Sequence, residues 1–284
     1  MLHSPENSKL GKTTDYPKTY APDILYPIHR ELGRASLALP ADQLTLGIDW
    51  WHVFELSWLN PFGISQVAMA RIAIPARSKF IVESKSLKLY FNSLNFTEFA
   101  DTQAIKTTIE TDLSNCVQAN VTVELFSVMH SQALPLSQPD GVCIDEALAK
   151  KGQKVAVVND VANTSLAFAD TGENGESTRQ IYHSHLLRSN CPVTNQPDWG
   201  TVFIDIDCPM LDTAGLLQYI LSFRQHNGFH EQCVEQIFSD LSVAFNPSKL
   251  LVRAWYTRRG GIDINPCRVS DLNLLPKPSR INRQ

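Results

Sequence analysis

From Thr201 to Asp207 the chain alternates between polar and apolar residues, with Val202, Ile204 and Ile206 on one face, the signature of a half-buried strand. Past Asp212 or Thr213, either of which can cap a helix, the period lengthens and Leu216, Leu217, Ile220 and Phe223 form a helical stripe. A second helix opens at His230, with Val234, Ile237, Phe238 and Leu241 at i, i+3, i+4 and i+7. Leu250 to Thr257 then reads as a strand, Arg258 to Gly261 as a turn and Ile262 to Ile264 as a returning strand. The earlier half follows the same grammar: a strand over Trp51–Trp58, a helix from Ser84, a helix near Thr102–Leu113 and a strand over Val121–Val128. Two strands, two helices and two strands per half predict an α+β fold, with antiparallel sheets and paired helices on one face. Sheets of this kind have open edges, commonly covered by pairing copies within and between chains, so an oligomer is expected.

The halves also match residue by residue. Asp49-Trp50-Trp51-His52-Val53-Phe54 is similar to Asp198-Trp199-Gly200-Thr201-Val202-Phe203, 149 residues on. Leu87, Tyr90 and Ser93 match Leu216, Tyr219 and Ser222, 129 residues on, and Asp112-Leu113-Ser114 matches Asp240-Leu241-Ser242, 128 residues on. The ordered set points to two diverged copies of one domain joined near Gly152–Asn163. The expected division is a polar tail over 1–20, one domain over 21–155 and a second over 156–284. On the 149-residue offset the counterpart of Cys191 is Asp42, so only one copy carries that thiol.

Composition narrows the function classes. The 284 residues are 43% hydrophobic and 19% charged, a globular balance, and the length favours two domains. Lys and Arg number 25 against 29 Asp and Glu, so the basic excess of a nucleic-acid binder is missing. No apolar run reaches the ~18 residues of a membrane span, and Met1–Thr19 lacks the apolar core of a signal peptide. Six cysteines stand singly at 116, 143, 191, 208, 233 and 267, with no C-x-x-C pair. A cytoplasmic protein with free thiols, binding neither nucleic acid nor membrane, is the expectation.

Candidate chemistry lies in a few loops and helix starts. Cys191 sits in a turn-rich stretch stiffened by Pro192 and Pro197, with Asp198 seven residues on; a nucleophile beside a proton donor fits, and so does an ordinary loop cysteine. His230-Glu231 at a helix start could orient a substrate or pass a proton, or could simply face water. Glu83-Ser84-Lys85-Ser86-Leu87-Lys88 offers a carboxylate able to accept two hydrogen bonds from a planar N–H/NH₂ edge, though helix capping explains the same residues. Thr257-Arg258-Arg259-Gly260-Gly261 suits phosphate or a plain hairpin turn. Gly172-Glu173-Asn174-Gly175 lacks the context of a dinucleotide fingerprint, and no G-x-G-x-x-G occurs. His183 and His185 share a face of an extended segment, but with no third ligand at a supporting spacing no metal site is expected. The other five cysteines read as packing residues.

Taken together, Ser189-Asn190-Cys191-Pro192-Val193-Thr194-Asn195-Gln196-Pro197-Asp198, Glu83-Ser84-Lys85-Ser86-Leu87-Lys88-Leu89-Tyr90, the segment Leu221–Glu231 and Arg258-Arg259-Gly260-Gly261 resemble the QueF family of NADPH-dependent 7-cyano-7-deazaguanine reductases, in its long tandem-domain form. The resemblance runs from about residue 20 onward. It implies tandem tunnelling-fold (T-fold) domains, a homodimer, and reduction of a nitrile to an aminomethyl group in queuosine biosynthesis, with two NADPH per turnover as co-substrate. Carried over, Cys191 is the nucleophile forming a thioimide, Asp198 the proton donor and His230 a further catalytic and substrate-contacting group. Val82, Glu83, Ser84 and Glu231 would complete the substrate site, and Ser84, Lys85, Arg259 and Gly260 would bind NADPH, with no metal. Two other readings share these residues: a zinc-dependent T-fold enzyme of the cyclohydrolase type, and a non-catalytic purine-binding or assembly protein.

Overall fold

The computed structural model describes residues 16–129, 134–155, 158–169 and 175–284; most of the polar tail and Gly172–Asn174 lie outside them. Two compact units emerge, each discontinuous in sequence: one comprises residues up to Leu32, Ile48–Pro135 and Arg258–Ile264, the other Gly33–Gly47, Leu136–Thr257 and Asn265–Gln284. No described helix is long and apolar enough to cross a membrane.

The first unit carries β1 (Pro27–His29), β2 (Gly47–Leu59), β3 (Ser65–Pro75), β4 (Phe80–Val82), α2 (Ser84–Leu94), α3 (Thr102–Val117) and β5 (Thr122–Phe126), with α1 (Glu31–Arg34) at a segment boundary. β3 pairs antiparallel with both β2 and β5, and β1 pairs with β4. Its core fills one face: Ala70, Ile72 and Ile74 of β3 meet Leu87, Tyr90, Phe91 and Leu94 of α2 and Ile105, Ile109 and Leu113 of α3. The helical stripe and the period-2 strand place these side chains on facing surfaces.

The second unit carries β6 (Leu136–Ser137), β7 (Val142–Cys143), α4 (Ala147–Lys150), β8 (Thr178–Asn190), β9 (Pro197–Cys208), α5 (Thr213–Ser222), α6 (His230–Phe245), β10 (Lys249–Tyr256), β11 (Ile262–Val269) and β12 (Arg280–Ile281); the first three residues of β11 belong to the other unit. β8, β9, β10 and β11 pair antiparallel in that order, while β7 joins β8 in parallel. Val202, Ile204 and Ile206 face the alternating inward positions of α5 and α6 in a second core. A buried ionic triad also braces this unit: Glu235 of α6 accepts from Arg34 (2.6 and 3.1 Å) and from Arg268 (2.7 and 3.1 Å).

The two units repeat one another locally. In each, a tyrosine of the first long helix donates to an aspartate of the second at 2.6 Å, Tyr90 to Asp112 and Tyr219 to Asp240. Ser93 and Ser222 donate at 2.6 Å to the carbonyls of those tyrosines. Both serine hydroxyls also accept from a preceding alanine N–H, Ala21 and Ala162. The helical matches seen in the sequence therefore correspond to shared hydrogen bonds.

The 149-residue match does not correspond to shared structure. It sets β2, the first strand of its series, against β9, the second. β2 and β8 are instead the equivalent strands: both span 13 residues, and both carry a register shift at matching places, between Val53 and Leu56 and between Ser184 and Leu187. On this pairing Cys191 corresponds to Asn60, not Asp42, which lies in a 3-10 turn over Ala41–Leu44. Either strand can look like the other because alternation with aromatics recurs in any half-buried strand.

Other boundaries also move. Two long strands precede α2, where the pattern indicates only Trp51–Trp58. β11 runs on to Val269 through Pro266, a residue that normally argues against an interior strand. The described β10–β11 register runs from Leu251↔Val269 to Arg253↔Cys267 and stops one residue short of Pro266, which has no N–H to give the ladder.

Candidate active site

Cys191 opens the tip of the β8–β9 hairpin. Its N–H donates to the Gln196 carbonyl at 2.9 Å, and the Asn195 N–H donates back to the Cys191 carbonyl at 3.0 Å. Asn195 takes the left-handed conformation, φ 55°, that asparagine tolerates better than most residues. The stretch read from sequence as a loop is thus a tight tip between two strands, and Asp198 lies on β9 itself. Ser189 and Asp198 are cross-strand partners with side chains on one face, and Cys191 follows just past the end of β8. The preceding residue is anchored as well: the Asn190 N–H donates to the His226 carbonyl, and the Gly228 N–H to the Asn190 carbonyl. The backbone leading into Cys191 is thus tied to the loop that leads into α6.

That loop delivers His230 and Glu231 in the first turn of α6. His230 stacks on Tyr256 with ring centroids 3.8 Å apart and planes 3° from parallel, and its Nε2 lies 3.5 Å from Oδ2 of Asp198. Both side chains are mostly withdrawn from solvent, which rules out the reading of His230 as a water-facing cap. Its Nδ1 is buried with no hydrogen-bond partner, an atom left to bond something brought into the site. Glu231 is buried. Tyr256 escaped the sequence reading; the only signal was an aromatic at the end of β10, in register with Gly200 of β9.

The thiols separate by environment. Cys208, Cys233 and Cys267 are buried, and burial pushes Cys233 up to about 12 and Cys208 up to about 11. Cys116 is half-buried and likewise pushed up to about 12. Cys143 is the exposed thiol, and Cys191, like Cys116, is partly exposed. Cys143 is therefore not a packing residue, because its two-residue strand lies at the end of the β11–β10–β9–β8–β7 ladder.

In the first unit, Val82 ends β4 and Glu83 caps α2. Glu83 accepts from the N–H groups of Lys85 at 2.6 Å and Ser86 at 2.8 Å, while Ser86 Oγ donates to the Glu83 carbonyl at 2.7 Å. The glutamate, not a serine, is the cap. Burial drives its carboxyl above the ordinary range, outweighing the hydrogen bonds and the Lys85 charge that pull the other way.

Arg259 and Gly260 sit in the turn entering β11, where Arg259 and Ile262 exchange backbone hydrogen bonds at 2.9 and 3.2 Å. Gly260 and Gly261 have φ of 57° and 76°, and a Cβ on Gly260 would stand 2.4 Å from Nζ of Lys88. The glycines thus serve both the turn and the close approach of a lysine from α2. Lys88 and Gly260 also line a cavity of ≈440 Å³ in this unit, together with Asn92 and Asn95. Lys88 is a further candidate that the sequence reading placed in a motif without giving it a role.

One unit therefore assembles Cys191, Asp198, His230 and Glu231, and the other assembles Val82, Glu83, Ser84, Lys85, Arg259 and Gly260. A partly exposed thiol at the tip of the hairpin that carries Asp198, with His230 next to that carboxylate, on an α+β scaffold of antiparallel strands and paired helices, has the donor set of an enzyme site. Comparison with known proteins refines this. Residues 16–125 match the family described as nitrile reductase, 7-cyano-7-deazaguanine-reductase N-term, and residues 197–272 match the family described as QueF-like protein. A protein of Psychrobacter cryohalolentis named NADPH-dependent 7-cyano-7-deazaguanine reductase is 59% identical over 277 residues, 96% of this chain and 97% of the relative. Proteins of the same name from Psychrobacter arcticus (58% over 278 residues, 96% and 97%) and Acinetobacter baumannii (52% over 281 residues, 99% and 100%) are also similar. The chain belongs to the family of NADPH-dependent 7-cyano-7-deazaguanine reductases.

Proposed function

We propose that this chain reduces the nitrile of 7-cyano-7-deazaguanine to the aminomethyl group, consuming two NADPH per turnover, as the free-base step of queuosine biosynthesis. The observation that carries the reading is the grouping of Cys191 with Asp198 and His230 on one hairpin and one helix start. The Cys191 sulfur adds to the nitrile carbon, one C–N π bond breaks, and the nitrogen takes a proton to give a thioimide. Asp198 is the donor of that proton. His230 abuts Asp198 and keeps an unsatisfied Nδ1 for the substrate. A nitrile accepts hydride poorly, whereas a protonated thioimide accepts it well, so covalent attachment divides one hard step into easier ones. The carbon–sulfur bond breaks again after the first reduction, returning the thiolate and leaving an imine that the pocket must shield from water.

Glu83, with Val82 and Ser84 next to it in the chain, is a carboxylate suited to the N–H/NH₂ edge of the base, and Glu231 is likewise assigned to the substrate. Each oxygen of the Glu83 cap keeps acceptor capacity beyond its one backbone bond. NADPH, when bound, supplies the two hydrides. The glycine turn, with Lys88 over Gly260, offers a close backbone approach flanked by cations, which fits a phosphorylated dinucleotide. Ser84, Lys85, Arg259 and Gly260 hold it, and the guanidinium and ammonium groups favour the 2′-phosphate. The same reading has the chain in the cytoplasm as a homodimer of tandem T-fold domains, with neither RNA nor a membrane as partner.

Intact-mass measurement after incubation with the nitrile tests the reading. Wild type should gain the mass of one substrate, Cys191→Ala should gain none, and NADPH oxidation should depend on the nitrile. An unmodified wild-type mass would point to a purine-binding protein. Zinc-dependent hydrolysis of a purine-type ring with no nitrile-dependent NADPH oxidation would point to a cyclohydrolase-type enzyme.

A further inference from the structure

The nitrile chemistry leaves one reachable thiol unused. Cys143 is the Cα partner of His183 across the β7–β8 pair, and His185 follows two residues later on the same side of the pleat. Gly141 makes that pairing possible: its φ is 81°, and a Cβ there would stand 2.3 Å from the Ile181 carbonyl oxygen. One ligand atom from each of Cys143, His183 and His185 lies within 4.8 Å of the others, the one such grouping of three among the described residues. The sequence shows two histidines and no third donor; strand pairing supplies it from 40 residues upstream.

Both imidazoles are also oriented. Nδ1 of His183 is 3.0 Å from the Asp140 carbonyl, which can only accept, so Nδ1 carries the proton and Nε2 the lone pair. Nδ1 of His185 is held 3.0 Å from Oγ1 of Thr201. Outer hydrogen bonds of this kind aim histidines at a metal. Asp145 binds the Ser184 hydroxyl at 2.6 Å and the His185 N–H at 3.2 Å, adding negative charge nearby. The one cation in the wall, Arg283, donates to the His185 carbonyl. A cavity of ≈490 Å³ lined by His183, His185 and Gly141 leaves room for a fourth, solvent ligand.

We propose that Cys143, His183 and His185 bind one zinc ion. Thiolate and imidazole donors suit zinc, and three protein ligands plus water complete its tetrahedron. Bonds of ~2.0–2.3 Å put tetrahedral donors roughly 3.3–3.8 Å apart, so donors that now lie within 4.8 Å of one another must close by at most about 1.5 Å through side-chain rotation when the ion binds. Binding sends the thiol proton to solvent. The ion ties β7 to β8. The site is separate from the reaction thiol, since Cys191 lies six residues along from His185, about 20 Å of extended strand.

Cobalt(II) titration of the full chain tests this. One equivalent should give a tetrahedral visible spectrum with a thiolate-to-cobalt charge-transfer band, and zinc should bleach it. Cys143→Ser should remove the band, His183→Ala should weaken binding by about tenfold or more, and Cys191→Ser should leave both unchanged. Zinc should also slow alkylation of Cys143, read by peptide mass, in wild type and in Cys191→Ser. A missing charge-transfer band, a band lost in Cys191→Ser but kept in Cys143→Ser, or unaltered alkylation of Cys143 would each overturn the proposal.

Discussion

Replacing Glu83 by glutamine keeps the shape of the α2 cap and changes its charge. The carboxylate accepts from two N–H groups, Lys85 at 2.6 Å and Ser86 at 2.8 Å. A glutamine oxygen can accept one of these bonds, while its NH₂ opposes the other donor. Loss of one bond from a charged acceptor costs about 1.5–3 kcal/mol. Against this, the substitution removes an ionised group that burial disfavours. The balance depends on pH. The folded carboxyl is raised above its unfolded value near ~4.3. The folded state therefore retains a proton over a window where the unfolded chain has lost it, and the stability from this group is complete below ~4.3 and lost as pH rises through the folded value. Within that window the slope approaches about 1.4 kcal/mol per pH unit. Urea denaturation from about pH 4 to about pH 8 should show the wild-type advantage over Glu83→Gln widening as pH falls and levelling off toward neutrality. Equilibrium binding of the nitrile should weaken in the same variant. Parallel stability curves at every pH would refute the reasoning, because they would mean that the cap carboxyl titrates alike in both states.

Asp198→Asn should still form the covalent adduct but turn over about 10²–10⁴-fold more slowly; near-normal steady-state NADPH oxidation would move the proton donor elsewhere. Gly260→Ala combines a Cβ 2.4 Å from Nζ of Lys88 with a positive φ, so the KM for NADPH should rise while adduct formation stays normal; an unchanged KM would take the turn out of the cofactor site. Glu235→Ala strands Arg34 and Arg268 in the interior and should cost about 3–5 kcal/mol in urea denaturation; a loss below about 1 kcal/mol would mean that the guanidinium groups reach water.

The helices were legible because burial follows their stripes: Val234, Ile237, Phe238 and Leu241 are all inward. β8 was not legible. Its buried positions include Gln180, His183, Ser184, Ser189 and Asn190; Gln180 bonds the Cys208 carbonyl, His183 the Asp140 carbonyl and Ser184 the Asp145 carboxylate, partners that only the fold brings up, so no apolar alternation marks it. The same strand carries two of the proposed zinc ligands and ends beside Cys191. Local pattern thus failed where polar side chains are buried for chemistry. The Cys191–Asp198 spacing was visible, but that it spans a hairpin tip required the register.

The corrected alignment of the two halves changes what duplication explains. Where the second unit has Cys191, the first has Asn60, whose side-chain oxygen accepts from the N–H groups of Phe62 and Ile64 and so shapes a turn. Where the first unit caps its helix with Glu83, the second uses Asp212, which accepts from Ala214 N–H and pairs with Lys151 at 2.8 Å. Burial opposes ionisation at both caps. At Asp212 the Lys151 contact and backbone bonds outweigh it and the carboxyl is lowered; at Glu83 burial prevails and the carboxyl is raised. Each unit therefore keeps the Tyr–Asp lock, and the two differ at the hairpin tip and at the helix cap. A tip asparagine cannot attack a nitrile, and a cap aspartate neutralised by lysine is a poor receptor for a neutral base.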